Sequence, residues 1–365
     1  IGVGAASGKT ILFGEHSVVY GRPAIAVPVR ALRATARVER RGSRTRIDSA
    51  LYRGPLDRAP ERLGVTSAAI TETLAHLARR GLDTSIPLTV SITSDIPAER
   101  GLGSSAAVAA AVVTGVADAW GVQLAADEAH ALIQAAEGRA HGTPSGLDAR
   151  AVRAHGPIAF RGGSVEHLPL GADLHLVIAD SGVRGRTRLA VAEVAVRRDR
   201  DRVGTDLLIS RLGDLAESGR EALALGDLAL VGRAMDDAHE TLDALGVGEP
   251  ALDRLTSAAR AAGAYGAKLT GGGMGGCIIA LAPDGRDVAC KLQYPDMQSA
   301  ISADLNQLKI IFSIYERYDS AIQTKHIHEE LAARLYEELD YELEARHCRL
   351  YAEMLKDESG VHVPE

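Results

Sequence analysis

The sequence predicts an α+β architecture, and three observations carry that prediction. Short apolar strands alternate with segments of helical periodicity along residues 1–283, glycine-rich turns sit where strands give way to helices, and the composition changes abruptly near residue 284. At 365 residues the chain is longer than one core usually spans, so two or more packed units are expected.

KTILFG (9–14) and residues 18–29, which include AIAVPV, read as strands about a turn at Gly21-Arg22-Pro23, with 34–39 as a third strand. Apolar residues recur at helical spacing across 63–79, and PLTVSIT (87–93) reads as a strand. The Ala/Val-rich stretch 104–120 predicts a buried helix behind the glycine turn 101–103, and 125–137 predicts a second. LHLVIAD (174–180) is an expected strand; helices fill 186–262, with Gly204, Gly213 and Gly226 as expected breaks. A glycine-rich turn at 271–276 then leads into the strand CIIALA (277–282). Beyond it, DVACKLQ (287–293) predicts a strand stopped by Pro295, and 298–317 and 326–355 predict two helices, the second amphipathic and strongly charged.

Hydrophobic residues make up 46% of the chain and charged residues 24%, values of a soluble globular protein. No apolar run approaches about 18 residues, and the N-terminus carries no basic segment followed by an apolar one, so neither a membrane span nor a secretory leader is expected. Cys277, Cys290 and Cys348 are odd in number and lack metal-ligand spacing, which fits a reducing, cytoplasmic setting. The net charge of −7 provides no general basic field for nucleic acid. That acidity belongs to the tail: residues 284–365 hold 9 basic and 17 acidic groups, against 32 and 31 in residues 1–283. The body also holds 36 of the 38 glycines. Such a seam marks a domain boundary, a natural fusion or an artificial joint, and composition does not choose among them.

Three glycine-rich signals concern function. In DIPAERGLGSSAA (95–107), glycines let the backbone approach a bulky anion, while the amides that open the following helix and the helix dipole favour negative charge. A serine hydroxyl at this turn can also ligate a nucleotide's Mg²⁺. The plainer alternative is a tight turn with Ser104 or Ser105 as helix cap. In KLTGGGMGGC (268–277), five of six positions from 271 to 276 are glycine, which fits either close approach to a ligand or a flexible hairpin. GKTILFGEHSVVYG (8–21) carries a lysine at one end of a strand and a Glu-His pair at the other. Lys9 and Lys268 are the only lysines among the first 283 residues, beside 30 arginines, and both lie inside these motifs. A compact ammonium suits a point contact with phosphate or with a nucleophilic hydroxyl.

At these motifs, and at EGRAHGTPSGLDA (137–149) and LDALGVG (242–248), the sequence resembles the GHMP kinases, in family order across nearly all of 1–283. The resemblance is strongest to the mevalonate-phosphorylating branch. Galactose-specific members carry an aspartate soon after the Glu-His pair, where this chain has Ser17-Val18-Val19-Tyr20. The resemblance implies a two-lobed α+β fold, with a ribosomal protein S5 domain 2-like lobe over 1–170 and an apparently incomplete ferredoxin-like lobe over 171–283. It implies ATP as cosubstrate, Mg²⁺ as cofactor, and phosphorylation of mevalonate's primary hydroxyl. It involves neither nucleic acid nor membrane and is compatible with a homodimer.

Carried over by position, Asp148 matches the catalytic aspartate, Lys9 the lysine beside it, and Glu137 with Ser105 or Ser104 the Mg²⁺ ligands. Gly101, Leu102, Gly103, Ser104, Ser105 and Ala106, with Lys268, Gly271, Gly272 and Gly273, fall around the nucleotide phosphates. Glu15, His16, Ser145 and Thr270 fall where the family lines its substrate pocket. Arg184, Arg186 and Arg188 are weak candidates for the substrate carboxylate, a solvated basic turn being the plainer reading. Another small-molecule kinase of this family, of phosphomevalonate, galactose or homoserine type, and a catalytically silent regulatory relative are the rival readings.

In the tail, DGRDVACKLQYPDM (284–297) and LYEELDYELEARHCRLYAEML (335–355) resemble a fragment of the UbiB kinase-like family. That resemblance implies a pairing of Lys291 with Glu338. The stretch lacks the family's nucleotide loop and its catalytic-loop and metal-binding aspartates, so an independent kinase is not expected.

Overall fold

The computed structural model describes residues 1–141, 145–285, 297–318 and 324–355. They form two compact units, 1–284 and 285–365.

The first unit opens with two long strands, β1 (Gly2–Phe13) and β2 (Ala24–Arg40), paired antiparallel. β2 is the spine of a seven-stranded sheet. Its second half pairs with β5 (Leu88–Ser94) and its first residues with β6 (Ile158–Arg161). β3 (Arg46–Ser49) lies parallel to β5 and antiparallel to β4 (Tyr52–Pro55), and β7 (Ser164–His167) extends the far edge. Helices α1 (Gly64–Arg79), α2 (Ser104–Asp118) and α3 (Ala126–His141), with the short α4 (Leu147–Ala151), accompany this sheet. α2 is rich in Ala and Val and is buried along most of its length, in one apolar cluster with residues of β2, β5, α1 and α3.

A second sheet, β8 (His175–Asp180), β10 (Cys277–Ala282) and β9 (Gly266–Thr270), runs antiparallel in that spatial order. Four helices lie between β8 and β9 in sequence: α5 (Thr187–Arg200), α6 (Arg202–Leu225), α7 (Leu228–Leu245) and α8 (Pro250–Ala261). Their apolar cluster takes in Leu12 and Phe13 of β1, so the end of that strand is packed into the second lobe.

Several expectations need correction. The turn at Gly21-Arg22-Pro23 is present, but residues 18–20 before it are not strand: Ser17–Tyr20 form a single 3₁₀ turn closed by Gly21. Gly204 and Gly213 lie inside α6, the latter with the Arg22 side chain across it. Gly226 does end α6, as expected, while the other break in this region falls at Asp201; Asp201 and Asp227 each cap the next helix through a backbone amide at 2.9 Å. The expected strand 287–293 lies outside the described residues, and so does Lys291 of the implied pair.

The second unit contains α9 (Met297–Tyr318), α10 (Thr324–Glu338) and α11 (Tyr341–Met354). The single helix expected over 326–355 is broken because the Asp340 carboxylate accepts from the Leu343 amide at 2.9 Å and starts a new helix. α9 and α10 are joined by a hydrogen bond between the Ser302 and Tyr336 hydroxyls at 2.9 Å, by one from His328 Nε2 to the Leu305 carbonyl at 2.9 Å, and by an edge-on Phe312–His328 contact. Among the described residues, no helix is long and apolar enough to cross a membrane.

Candidate active site

The centre of the site is a contact between two segments 139 residues apart in sequence: Lys9 Nζ lies 2.9 Å from Asp148 Oδ1. β1 holds Lys9 so that its side chain is buried, while the Asp148 side chain remains 39% exposed and open to a reactant. Two hydrogen bonds place the partners. The Ser7 amide donates to the carbonyl of Val152 at the end of α4, at 3.1 Å, and the Lys9 amide donates to the Leu102 carbonyl at 3.0 Å. Asp148 lies in the first turn of α4, where the Ser145 hydroxyl accepts from the Leu147 amide at 3.4 Å.

The loop before α2 is shaped around the Lys9 stem. Gly103 takes φ +72°, and a Cβ there would lie 2.7 Å from Lys9 Cγ, so only glycine lets the lysine pass beneath the loop. No side chain caps α2 and its first turn has no acidic residue. The opening amides of Ser104, Ser105 and Ala106 therefore form a cradle suited to an anion. The Ser104 hydroxyl is committed to the Ile96 carbonyl at 3.3 Å, whereas Ser105 makes no side-chain hydrogen bond among the described residues.

Glu137, near the end of α3, is 6% exposed. Burial first, and then the Asp148 carboxylate, push its carboxyl up to about 8 against the opposing pull of Lys9. With the half-buried Ser105 hydroxyl, Glu137 offers the hard oxygen donors that Mg²⁺ prefers, with phosphate oxygens and water completing the shell. The residues present fit that ion. Among the described residues no cluster of three or more His, Cys, Asp or Glu forms a cage for a metal independent of substrate. The His141 side chain and residues 142–144 of the motif lie outside the described set.

The third glycine motif meets the first directly: a Cβ on Gly271, at φ +84°, would lie 2.8 Å from the Gly101 Cα. The turn 181–186 closes the same region, since Gly185 N donates to the Glu99 carbonyl and Gly276 N to the Val183 carbonyl, each at 2.8 Å. Arg184 is exposed and lies 3.7 Å from Glu99, and Arg186 and Arg188 are exposed beside it. Arg100, which no sequence pattern singles out, pairs with Asp180 at 2.7 Å and fixes the loop to β8.

Four expected site residues have other surroundings. Lys268, expected at the phosphates, is fully buried in an ion pair with Glu15, itself 1% exposed. Burial drives the Glu15 carboxyl up and the Lys268 ammonium down, and each charge opposes the other's shift. Thr270 accepts from the Ile11 amide at 3.0 Å, donates to the Ile11 carbonyl at 3.1 Å and meets Thr10 Oγ1 at 2.9 Å. His16, a non-glycine residue at φ +59°, places Nε2 2.8 Å from the Gly272 carbonyl. These four tie the lobes together and are sealed from solvent.

Known proteins share the sequence pattern and the fold. Residues 68–156 match the GHMP kinases N terminal domain and 220–294 the GHMP kinases C terminal domain. Residues 277–365 match the ABC1 atypical kinase-like domain, so β10 falls within both of the last two matches. The mevalonate kinase of Thermococcus sibiricus is 37% identical over 302 residues, covering 77% of this chain and 89% of that one. The crystal structure of L. major mevalonate kinase in complex with R-mevalonate superposes with a TM-score of 0.66 at 26% identity, over 84% of this chain and 92% of that one. The Streptococcus pneumoniae phosphomevalonate kinase reaches a TM-score of 0.69 at 18% identity, over 78% and 93%, and shows the shared fold alone. The chain therefore belongs to the GHMP kinases, in the mevalonate kinase branch of that family.

Proposed function

We propose that this protein transfers the terminal phosphoryl group of ATP to the primary hydroxyl of mevalonate, giving phosphomevalonate and ADP. The observation that carries the proposal is the Lys9–Asp148 contact beneath the glycine loop, an ammonium and a partly open carboxylate 2.9 Å apart. An alcohol is a poor nucleophile. Asp148 accepts or orients the hydroxyl proton, while Lys9 holds the Asp148 carboxylate in place and stabilises the oxygen as charge develops. The amides of Ser104, Ser105 and Ala106 receive the phosphates and remove the need to reorganise solvent as charge moves. Glu137 and Ser105 would hold Mg²⁺, which when bound neutralises charge on the phosphate oxygens. In this reading residues 1–170 supply the catalytic groups, 171–283 close the nucleotide side, and 284–365 take no part in the chemistry.

The fold is shared with kinases of other alcohols and phosphates, so the substrate is decided by assay. ADP release measured by a coupled assay should depend on mevalonate and not on phosphomevalonate, galactose or homoserine. A stronger response to any of the other three would reassign the substrate, and no response to all four would favour the silent regulatory reading.

A further inference from the structure

The Lys268–Glu15 pair is not used by the chemistry assigned above, yet it is the most deeply buried pair of charges described in this chain. Burying two ions carries a desolvation penalty that is recovered only with excellent geometry and full hydrogen bonding, and apolar residues of similar volume often serve stability as well or better. Here the bonding is incomplete. Lys268 Nζ also donates to the Leu269 carbonyl at 2.7 Å, but the buried Glu15 Oε2 has no hydrogen-bond partner among the described residues. Stability alone gives a poor reason for such a pair.

Its location supplies a better one. Lys268, Thr270 and Gly272 alternate along one stretch of chain, and each reaches the first lobe: Lys268 meets Glu15, Thr270 meets Ile11 and Thr10, and the Gly272 carbonyl meets His16. The period of two is that of a strand, so one side of β9 and its extension is stitched to β1 and the turn after it. Lys9 lies on the same β1, and Gly271, within the stitch, lies against Gly101. A shift of β9 along its axis would move one glycine loop past the other. Apolar contacts resist such a slip weakly because they are non-directional, whereas an ion pair is sensitive to distance and direction.

We infer that Glu15 and Lys268 are a positioning pair for phosphoryl transfer: they hold the Gly271–Gly273 loop in register with the Gly101–Gly103 loop, and so set where a nucleotide's terminal phosphoryl group lies relative to Lys9 and Asp148. The inference rests on reading the site as a phosphoryl-transfer centre. It moves Glu15 and Lys268 out of direct contact with substrate and nucleotide.

The test uses the intact chain, with the double variant Glu15→Leu/Lys268→Met, which keeps volume and removes both charges, and with Glu15→Gln. The double variant should melt close to the parent, while kcat/KM for MgATP falls by about 10²-fold, the loss that a misplacement of about 1 Å produces. KM for mevalonate should stay unchanged, and the amides of 271–276 should exchange with deuterium faster. Parental kcat and KM for MgATP in a folded double variant would overturn the inference. If the double variant does not fold, the same kinetic comparison on Glu15→Gln decides. If the parent releases no ADP with mevalonate, the functional reading fails by itself. Calorimetric affinity for MgATP on the same variants then decides the inference, with weakened affinity supporting it and parental affinity overturning it.

Discussion

Two lysine–carboxylate pairs divide the work in this molecule, and they differ in access rather than in chemistry. Lys9 and Asp148 join β1 to α4, and their carboxylate is more than a third exposed; Lys268 and Glu15 join β9 to the turn after β1, and both are sealed. In sequence the two lysines look alike, each the lone lysine of a glycine-rich motif. The fold turns one toward an open loop with free helix amides and closes the other beneath a stitched strand. An ion pair that water and substrate can reach is a chemical tool, and one they cannot reach is a joint.

The sharpest test of that contrast is on the open pair. Asp148→Ala should lower mevalonate-dependent ADP formation by about two to four orders of magnitude, the range of a lost general base, and the melting temperature only modestly, because Asp148 is partly solvated and the buried Lys9 keeps the Glu137 carboxylate near it. Steady-state kinetics beside a thermal melt checks both halves. Near-parental turnover would remove Asp148 from the chemistry and erase the distinction. On the sealed side the effect should invert: Lys268→Ala leaves the Glu15 charge buried and unpaired and should destabilise the fold by about 3–5 kcal/mol. In a thermal melt that amounts to roughly 10 °C. A melt unchanged within 2 °C or so would mean that the pair is not a joint at all.

A smaller effect is expected where the open pair meets its loop. Gly103→Ala places a methyl group 2.7 Å from Lys9 Cγ and puts alanine at φ +72°. The backbone penalty is about 1–2 kcal/mol, and the displaced lysine should lower turnover by roughly 10-fold to 10²-fold. Comparing turnover of Gly103→Ala with that of Gly103→Ala/Lys9→Met separates the two. If the alanine is harmless once the long amine is gone, the damage ran through Lys9; if both lose equally, it was backbone strain.

How much of this was legible beforehand follows from what a sequence pattern records. The loop 101–103, the buried helix behind it and the Lys9–Asp148 partnership were visible because glycine, alanine and the family motif each mark a local requirement. β3, β4, β6 and β7 were invisible: each is four residues long and gains its order from its neighbours in the sheet, β3 from β5, β4 from β3, β6 from β2 and β7 from β6, rather than from its own pattern. β9 was missed because Lys268 interrupts an apolar run and reads as a ligand contact until its carboxylate partner, 253 positions earlier, is placed beside it. The helix break at Asp340 did carry a signal, an aspartate three residues ahead of an apolar position, but the charged periodicity on both sides hid it.

The last test concerns what lies behind the joint. His239 on α7 accepts from the Leu269 amide through Nδ1 at 3.3 Å and, through Nε2, faces Asp253 at 3.1 Å and the Thr256 hydroxyl at 3.3 Å. Nδ1 is therefore the acceptor, and the folded protein needs the neutral ring. Burial lowers its pKa first, with Lys268 and Arg260 adding to that and Asp253 opposing it. For a histidine whose folded value is depressed below its ordinary 6.5, the unfolded chain takes up the proton first. Stability is complete above 6.5 and declines as pH falls from there toward the folded value. Protonation would also turn the Leu269 acceptor into a donor, one residue from Lys268. Denaturant melts between pH 7.5 and 5.5 should show that decline, and His239→Gln, which keeps a hydrogen-bonding side chain without a titrating ring, should flatten it. An unchanged slope in the glutamine variant would place the acid sensitivity elsewhere and leave the sealed pair without its pH-dependent support.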